Sequence, residues 1–293
     1  MKKVIIIAGP TGVGKTKLSL ALAKHFQTNL INGDAYQMYQ GLDILTAKPN
    51  KEELSEVTHF LMDTLKPDAD YTIYNYQTDV RNLIEQQDLP LIVGGSGLYT
   101  DSVIYDYRFP DNNYSFDDTN YTNEELHQLL KELDPINAEN IHPNNRKRVK
   151  RAIELAQMSS LTERSQKNTL VYEPLILFLN LDRELLYDRI NKRVLAMLEN
   201  GLLEEVKSDR SQIGFQLSKA IGYNDAINYL DGMISYDEMV DNIQKATRHY
   251  AKRQLTWYRK HPNTVFLDVK LDDFDSTIKE AINLINEFLE KSI

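Results

Sequence analysis

Three short groups of residues have the types and spacing to handle phosphate chemistry. Gly9, Gly14, Lys15 and Thr16 fit the pattern G-x-x-x-x-G-K-[ST], with Pro10, Thr11, Gly12 and Val13 filling the loop between them. Glycines let the backbone curl until successive N–H groups point at phosphate oxygens, and a helix that starts here adds partial positive charge. Lys15 supplies a full charge, and the Thr16 hydroxyl is placed to ligate Mg²⁺. Such a loop reports phosphates and does not specify a nucleotide.

The second group is Asp34-Ala35-Tyr36-Gln37, directly after a short apolar run. In an open α/β sheet ligands sit beyond the carboxyl ends of the strands, so Asp34 is expected to face the phosphate loop. A carboxylate there can hold Mg²⁺ or take a proton from an acceptor, although an Asp in such a turn also serves as a helix cap. The third group is Gly94-Gly95-Ser96-Gly97, where glycines permit close approach of a ligand and Ser96 offers a hydroxyl. Two reactions fit at this level. A small-molecule kinase would hold ATP on the loop and let Asp34 activate a hydroxyl. A group transferase would instead hold a diphosphate as leaving group and transfer the carbon it carries. No arginine-rich lid or adenine-binding element of a kinase is evident.

The elements that must position these residues follow from periodicity. Val4 to Ala8 is a continuous, largely β-branched run, the pattern of a parallel strand buried on both faces. Leu18, Ala21, Leu22 and Phe26 have the spacing of an amphipathic helix over Lys15 to Phe26. Further strands are expected at Asn29 to Ile31, Leu89 to Val93, Leu175 to Leu179 and Thr264 to Leu267, with helices between most of them. Long helices are expected at Arg183 to Lys207 and Glu238 to Arg259, and a last amphipathic one at Phe274 to Leu289. This alternation implies an α/β fold, a P-loop parallel sheet flanked by helices. The middle shows no strand signal but has helical patches at Glu124 to Leu133 and Asn145 to Met158. We expect core segments 1–111 and 171–293, with 112–170 as an all-helical insertion domain.

The chain has 293 residues, net charge −9 and no cysteine. Thiol catalysis, disulfides and Cys-ligated metals are thereby excluded, and the histidines show no ligand spacing. The apolar run from Val4 ends at Gly9-Pro10, too short for a signal h-region or a membrane span. A cytoplasmic protein with no membrane partner is expected. The charge is uneven: Arg146 to Arg151 and Lys245 to Lys260 are strongly basic, and the latter contains no Asp or Glu. Either stretch can steer a polyanion or simply be a solvated helix face. Trp257, beside the second stretch, is expected to be a half-buried anchor rather than a stacking platform.

These residues resemble one family over about Val4 to Trp257. Its pieces are Gly9 to Thr16, Asp34 to Ile44 with Thr46-Ala47-Lys48-Pro49, Val93 to Tyr99, and Ile141 to Asn144 leading into Lys147-Arg148-Val149-Lys150-Arg151-Ala152. They continue with Arg189-Ile190, Arg193-Val194, Ala220-Ile221-Gly222-Tyr223, Thr247-Arg248, Ala251 to Gln254 and Thr256-Trp257. In this order the set resembles the tRNA dimethylallyltransferases, the isopentenyltransferases of bacterial type.

The resemblance implies transfer of a dimethylallyl group from dimethylallyl diphosphate to the exocyclic amine of the adenine just 3′ of the anticodon. It implies Asp34 as general base, Lys15 and Thr16 on the diphosphate with Mg²⁺, and Ser96 (commonly Thr in the family) near the adenine. Arg189 and Arg193, one helical turn apart, are expected to share a face, with at least one clamping the diphosphate. Asp34, Ala35, Tyr36, Gln37 and Ser96 are expected to hold a flipped adenine. The tRNA anticodon stem-loop would lie on Lys147, Arg148, Val149, Lys150 and Arg151, and on Lys219, Ala220, Ile221, Gly222, Tyr223 and Asn224, with the enzyme acting as a monomer. The chain departs from the pattern between Asp101 and Asn123, which looks shortened; only Arg108 stands near the arginine commonly found there. A chain without cysteine also has no zinc finger of the eukaryotic kind, which points to a bacterial protein.

Overall fold

The computed structural model describes residues 1–107, 116–158 and 169–291. Arg108, the candidate contact just named, lies outside them. Six strands form one sheet: β1 (Lys3–Ala8), β2 (Leu30–Asn32), β3 (His59–Phe60), β4 (Leu91–Val93), β5 (Glu173–Asn180) and β6 (Thr264–Asp268). Their spatial order is β3-β2-β4-β1-β5-β6, and every pairing is parallel. Val4 to Ala8 of β1 are fully buried, because the strand lies inside the sheet with helices covering it. The register Ile6↔Ile92 and Ile6↔Ile176 brings the carboxyl ends of β1, β4 and β5 to one edge. The phosphate loop, Asp34 and Gly94-Gly95 all follow strand ends on that edge.

The helices of this part are α1 (Lys15–Phe26), α2 (Lys51–Glu56), α3 (Ile73–Glu85) and α4 (Gly97–Ile104), and after β5 α8 (Arg183–Glu199), α9 (Leu202–Asp209), α10 (Tyr223–Leu230), α11 (Tyr236–Tyr258) and α12 (Phe274–Glu290). The single helix expected over Arg183 to Lys207 is in fact two. Gly201 takes φ 97°, a left-handed conformation that ends α8 and caps α9. Elements that the sequence reading did not name include the two-residue β3, α10, and α6 (Pro135–Asn140), which Asp134 caps by accepting from the Asn137 N–H at 3.1 Å.

Tyr105–Val171 forms a second compact unit, distinct from Met1–Ile104 with Tyr172–Ile293. It contains α5 (Asn123–Leu133), α6 and α7 (Arg146–Met158), packed on Leu126, Leu130, Ile141, Val149 and Ile153. Thr122 and Glu125 form a reciprocal capping box at the start of α5. His127 is buried, its Nε2 lying 2.8 Å from the Ile141 carbonyl, so it is a packing residue and not a ligand.

Candidate functional site

The phosphate loop folds as its composition dictates. Gly12 and Gly14 take φ 78° and 108°, conformations that an L side chain resists, and α1 begins immediately afterward. Val13 is fully buried, so its contribution to a bound anion is its backbone N–H alone. The Lys15 ammonium donates to the carbonyls of Gly9 and Pro10, both at 2.9 Å. Burial brings its pKa down to about 8, with Arg193 adding to the fall and Asp34 opposing it. Thr16 lines the same cavity.

Asp34 is fixed by its neighbours. Its N–H donates to Asn32 Oδ1 at 2.9 Å, and its own Oδ1 accepts the Tyr36 N–H at 3.0 Å. This is a local turn contact and not the helix cap considered from the sequence, since no helix begins between Asp34 and Lys51, and it coexists with a carboxylate that lines the adjoining cavities. Burial raises the Asp34 pKa, against the Tyr36 and Gln37 N–H groups and the Lys15 charge, which lower it. The backbone turns so tightly here because Gly33 and Gly94 touch: a Cβ on Gly94 would lie 2.3 Å from the Gly33 carbonyl carbon.

Two cavities meet at this point. The first, about 360 Å³, is lined by the phosphate loop from Thr11 to Thr16 (Val13 apart), Asp34, Gln37, Lys48, Arg189 and Arg193. The second, about 260 Å³, is lined mainly by Leu45, Ile190, Val194, Met197, Ile221 and Ile243. Thr11, Asp34, Thr46, Ala47, Arg193 and Tyr250 border both. A cation-rich space thus adjoins one with a largely apolar wall, bordered also by Lys219 and Arg253, with the Asp34 carboxylate on the border of both.

The wall opposite Asp34 is the turn from Tyr39 to Pro49. Glu205 accepts from the N–H groups of Ile44 and Leu45 at 2.8 and 2.9 Å, and Asp209 accepts from Leu42. Lys48 is buried, donates to the Tyr39 and Gly41 carbonyls, and pairs with Asp43 and Asp63. Gln37 donates its amide to the carbonyls of Thr46 and Ala47, so it braces this turn, and its amide is already engaged there. Arg189 donates to the Gly12 carbonyl at 2.8 Å and Arg193 to the Ala47 carbonyl at 3.5 Å. Both arginines reach the first cavity because Leu186, Ile190 and Val194 bury the adjacent stripe of α8.

The other expected contact residues differ in exposure and in the partners they already hold. Ser96 lines neither cavity; it is half-buried, and its carbonyl accepts the Thr100 N–H of α4. Val149 is wholly buried in the core of the second unit, so its side chain offers nothing at the surface. Lys150 pairs with Asp118 at 2.9 Å and Arg151 with Glu154 at 3.0 Å, whereas Lys147 and Arg148 are exposed with no carboxylate partner among the described residues. Ala220 and Tyr223 are buried in an apolar cluster, and Gly222 takes φ 92°; of that run only Lys219 and Asn224 are exposed. Ile221 and Lys219 line the apolar cavity, as does Tyr36, whose hydroxyl donates to the Lys219 carbonyl at 3.1 Å. Ala35 is half-buried beside Asp34.

Sequence reasoning gave no role to Tyr250 and Gln254. These residues, one turn apart on α11, both line the first cavity. Gln254 is 4% exposed and donates to the Gly95 carbonyl at 2.9 Å, closing the wall beside Gly94. Their i,i+4 spacing within an otherwise basic helix was the available signal.

Comparison with known proteins accords with this geometry. The model of the IPP transferase family matches residues 37–261. The tRNA dimethylallyltransferase of Anoxybacillus flavithermus is 41% identical over 299 residues, covering 97% of this chain and 96% of its own. The enzyme of that name from Bacillus cereus is 41% identical over 287 residues, covering 92% and 90%. Among solved structures, a tRNA isopentenylpyrophosphate transferase of Bacillus halodurans superposes with TM-score 0.76 at 38% identity, covering 99% of this chain and 97% of that one. A eukaryotic dimethylallyltransferase acting on tRNA superposes with TM-score 0.85 at 28% identity, covering 99% and 80%. The chain belongs to the IPP transferase family, the tRNA dimethylallyltransferases.

Proposed function

We propose that this protein transfers the dimethylallyl group of dimethylallyl diphosphate to the exocyclic amine of the adenine just 3′ of the anticodon, releasing diphosphate. The observation that carries the reading is the position of Asp34, on the border of a cationic cavity and an apolar one. A kinase would need no apolar chamber at its base. A prenyl donor, with an anionic head and a hydrocarbon tail, matches such a pair of spaces.

An adenine amine is a weak nucleophile because its lone pair is delocalised into the ring, so the electrophile must be activated. In this reading the amine nitrogen attacks the first carbon of the dimethylallyl group as the carbon–oxygen bond breaks. Negative charge grows on the diphosphate, where the loop N–H groups, Lys15, Arg189 and Arg193 stabilise it. Asp34 takes the amine proton, and its raised pKa makes it a stronger base than an ordinary carboxylate. Tyr36 and Tyr250 border the apolar cavity and are the aromatic faces available to an extruded base.

Mg²⁺ is the expected metal. The described residues contain no cluster of three His, Asp or Glu side chains, so the protein would not cage the ion by itself. That fits Mg²⁺, which keeps waters and is commonly bound through substrate phosphates. The Thr16 hydroxyl, on the cavity wall, would be its protein ligand. When bound, the ion would neutralise charge on the leaving diphosphate. A tRNA substrate supports a cytoplasmic site of action for the enzyme.

The test is incubation with unmodified tRNA and radiolabelled dimethylallyl diphosphate. Label in the RNA, absent when the target adenine is replaced, is the expected result. No incorporation, together with phosphate release from ATP, would overturn the reading in favour of a kinase.

A further inference from the structure

Glu205 lines neither cavity, yet it holds the wall that the two share. The turn from Leu42 to Lys48 closes on itself as a single helical coil. The Leu42 carbonyl accepts the Thr46 N–H at 2.9 Å, that of Asp43 the Lys48 N–H at 3.0 Å, and that of Ile44 the Ala47 N–H at 3.0 Å. The leading N–H groups of such a coil have no partner within it. Here α9 supplies the acceptors. Glu205 Oε1 accepts the Ile44 N–H, its Oε2 accepts the Leu45 N–H, and Asp209 Oδ2 accepts from Leu42 at 3.3 Å. Each carboxylate oxygen of Glu205 thus holds one N–H, and both oxygens are needed. The group is half-buried: burial raises its pKa, the two N–H groups lower it, and Asp43 and Asp209 add to the rise.

What the carboxylate fixes is the reacting end of the site. Leu45 lines the apolar cavity, and Thr46 and Ala47 border both cavities, as do Asp34 and Arg193. Leu42 and Ala47 take φ 51° and 57°, left-handed conformations that side chains resist and that persist only where the surroundings enforce them. The enforcing contacts come from three sides. Gln37 donates to the Thr46 and Ala47 carbonyls, Lys48 to those of Tyr39 and Gly41, and the α9 carboxylates take the N–H groups. Through Gly201, α9 also continues from α8, which carries Arg189 and Arg193. Ile44 packs at that joint, its Cδ1 lying 4.0 Å from where a Cβ on Gly201 would be. The wall of the apolar cavity and the diphosphate arginines therefore share one support.

We propose that Glu205 is a positioning residue for prenyl transfer. Through the Ile44 and Leu45 N–H groups, its carboxylate sets the wall of Leu45, Thr46 and Ala47 against which the hydrocarbon end of the donor is held beside Asp34. This rests on the prenyl-transfer reading above, which supplies the donor. Glu205 acts on the donor only through the turn, so its loss should misplace the transferred carbon and spare the grip on the diphosphate.

The experiment compares E205Q with E204Q, the same charge change at the exposed neighbouring glutamate, in the full-length protein. In E205Q one oxygen becomes an NH2 group that opposes a backbone N–H, so one of the two bonds is lost. Label transfer from dimethylallyl diphosphate to tRNA should fall about tenfold to a hundredfold in kcat/KM for the donor, the scale of a small misplacement at a reacting centre. Inhibition by inorganic diphosphate, which needs the phosphate loop and not the apolar wall, should stay within about threefold of the wild type, as should tRNA affinity. E204Q should match the wild type throughout. A brace with no bearing on the donor would weaken donor and inorganic diphosphate together, and that outcome would overturn the proposal, as would wild-type donor kinetics in E205Q. Should E205Q melt far below the wild type, E205D carries the test: it keeps the charge but is one carbon shorter, and the same split between donor and diphosphate is expected. No transfer by the wild type itself would overturn the prenyl-transfer reading, and the role of Glu205 with it.

Discussion

At the phosphate-loop cavity, Lys15 and Arg193 are half-buried and tied to backbone carbonyls, and burial lowers the pKa of each. On α7, Lys147 and Arg148 stand in solvent without carboxylate partners among the described residues, while Lys150 and Arg146 share Asp118. The two regions hold cations of the same kinds under opposite conditions. A charge withdrawn from water interacts strongly with whatever replaces the water, and its position is defined. An exposed charge contributes weak, salt-screened attraction that falls on any polyanion. The first arrangement suits a reacting diphosphate, the second a long RNA backbone. Substitutions in the two regions should therefore differ in size, in salt dependence and in whether turnover or affinity suffers.

The largest effect should come from the junction carboxylate. Asp34→Ala should reduce the rate of label transfer at saturating substrates by at least about a hundredfold, the scale of general-base loss. Its tRNA affinity should change less than threefold, measured by direct binding. Near-normal turnover would remove Asp34 as the base and would break the contrast at its centre.

A pH profile sharpens the same side of the comparison. The Asp34 carboxyl must be ionised to act, and its pKa is raised, so kcat/KM should climb with pH through a range above that of ordinary carboxylates. Lys15 must be protonated, and its pKa is down at about 8, so kcat/KM should fall again above that pH. Lys15→Arg, which stays charged, should lose activity but also lose the alkaline limb. An alkaline limb that persists unmoved in that variant would assign it to another group.

The same contrast explains what was legible in the sequence. β1 and the phosphate loop could be read directly, because a fully buried parallel strand demands a continuous apolar run and the loop demands glycines at fixed spacing. Asp34 could be placed because it follows a strand end. The apolar cavity could not. Ile190, Val194, Met197 and Ile243 have helical spacing and read as core, and only tertiary packing leaves a space between them. β3 has two half-buried residues and no local signal, since pairing with β2 alone creates it. For Ser96 the glycine-rich turn motif reports the backbone path and not the direction of the side chain. The basic face of α7 was visible as composition, but its neutralisation by Asp118 was not, because Asp118 lies 32 positions from Lys150.

On the exposed side, Lys147→Glu with Arg148→Glu should weaken tRNA binding about tenfold or more at low salt. The salt slope should fall by about 1.5 or more, while turnover at saturating tRNA changes much less. An unchanged slope would mean that these cations serve solubility and not RNA.

The smallest effect is the most discriminating. Asp118 accepts from Arg146 Nε at 2.7 Å and from Lys150 at 2.9 Å, and both contacts lower its pKa. Within the second unit it offsets charge that α7 would otherwise present. Asp118→Asn keeps a hydrogen-bonding side chain but removes the negative charge. If exposed cations act as a sum, the variant should bind tRNA a few-fold more tightly at low salt, with the advantage vanishing as salt rises. If Asp118 instead holds Arg146 and Lys150 in a defined pose that RNA recognises, the same change should weaken binding and leave a deficit at high salt. The sign of that small change separates an undirected electrostatic face from an organised one, a distinction that charge reversal at Lys147 and Arg148 cannot make because both models lose affinity there.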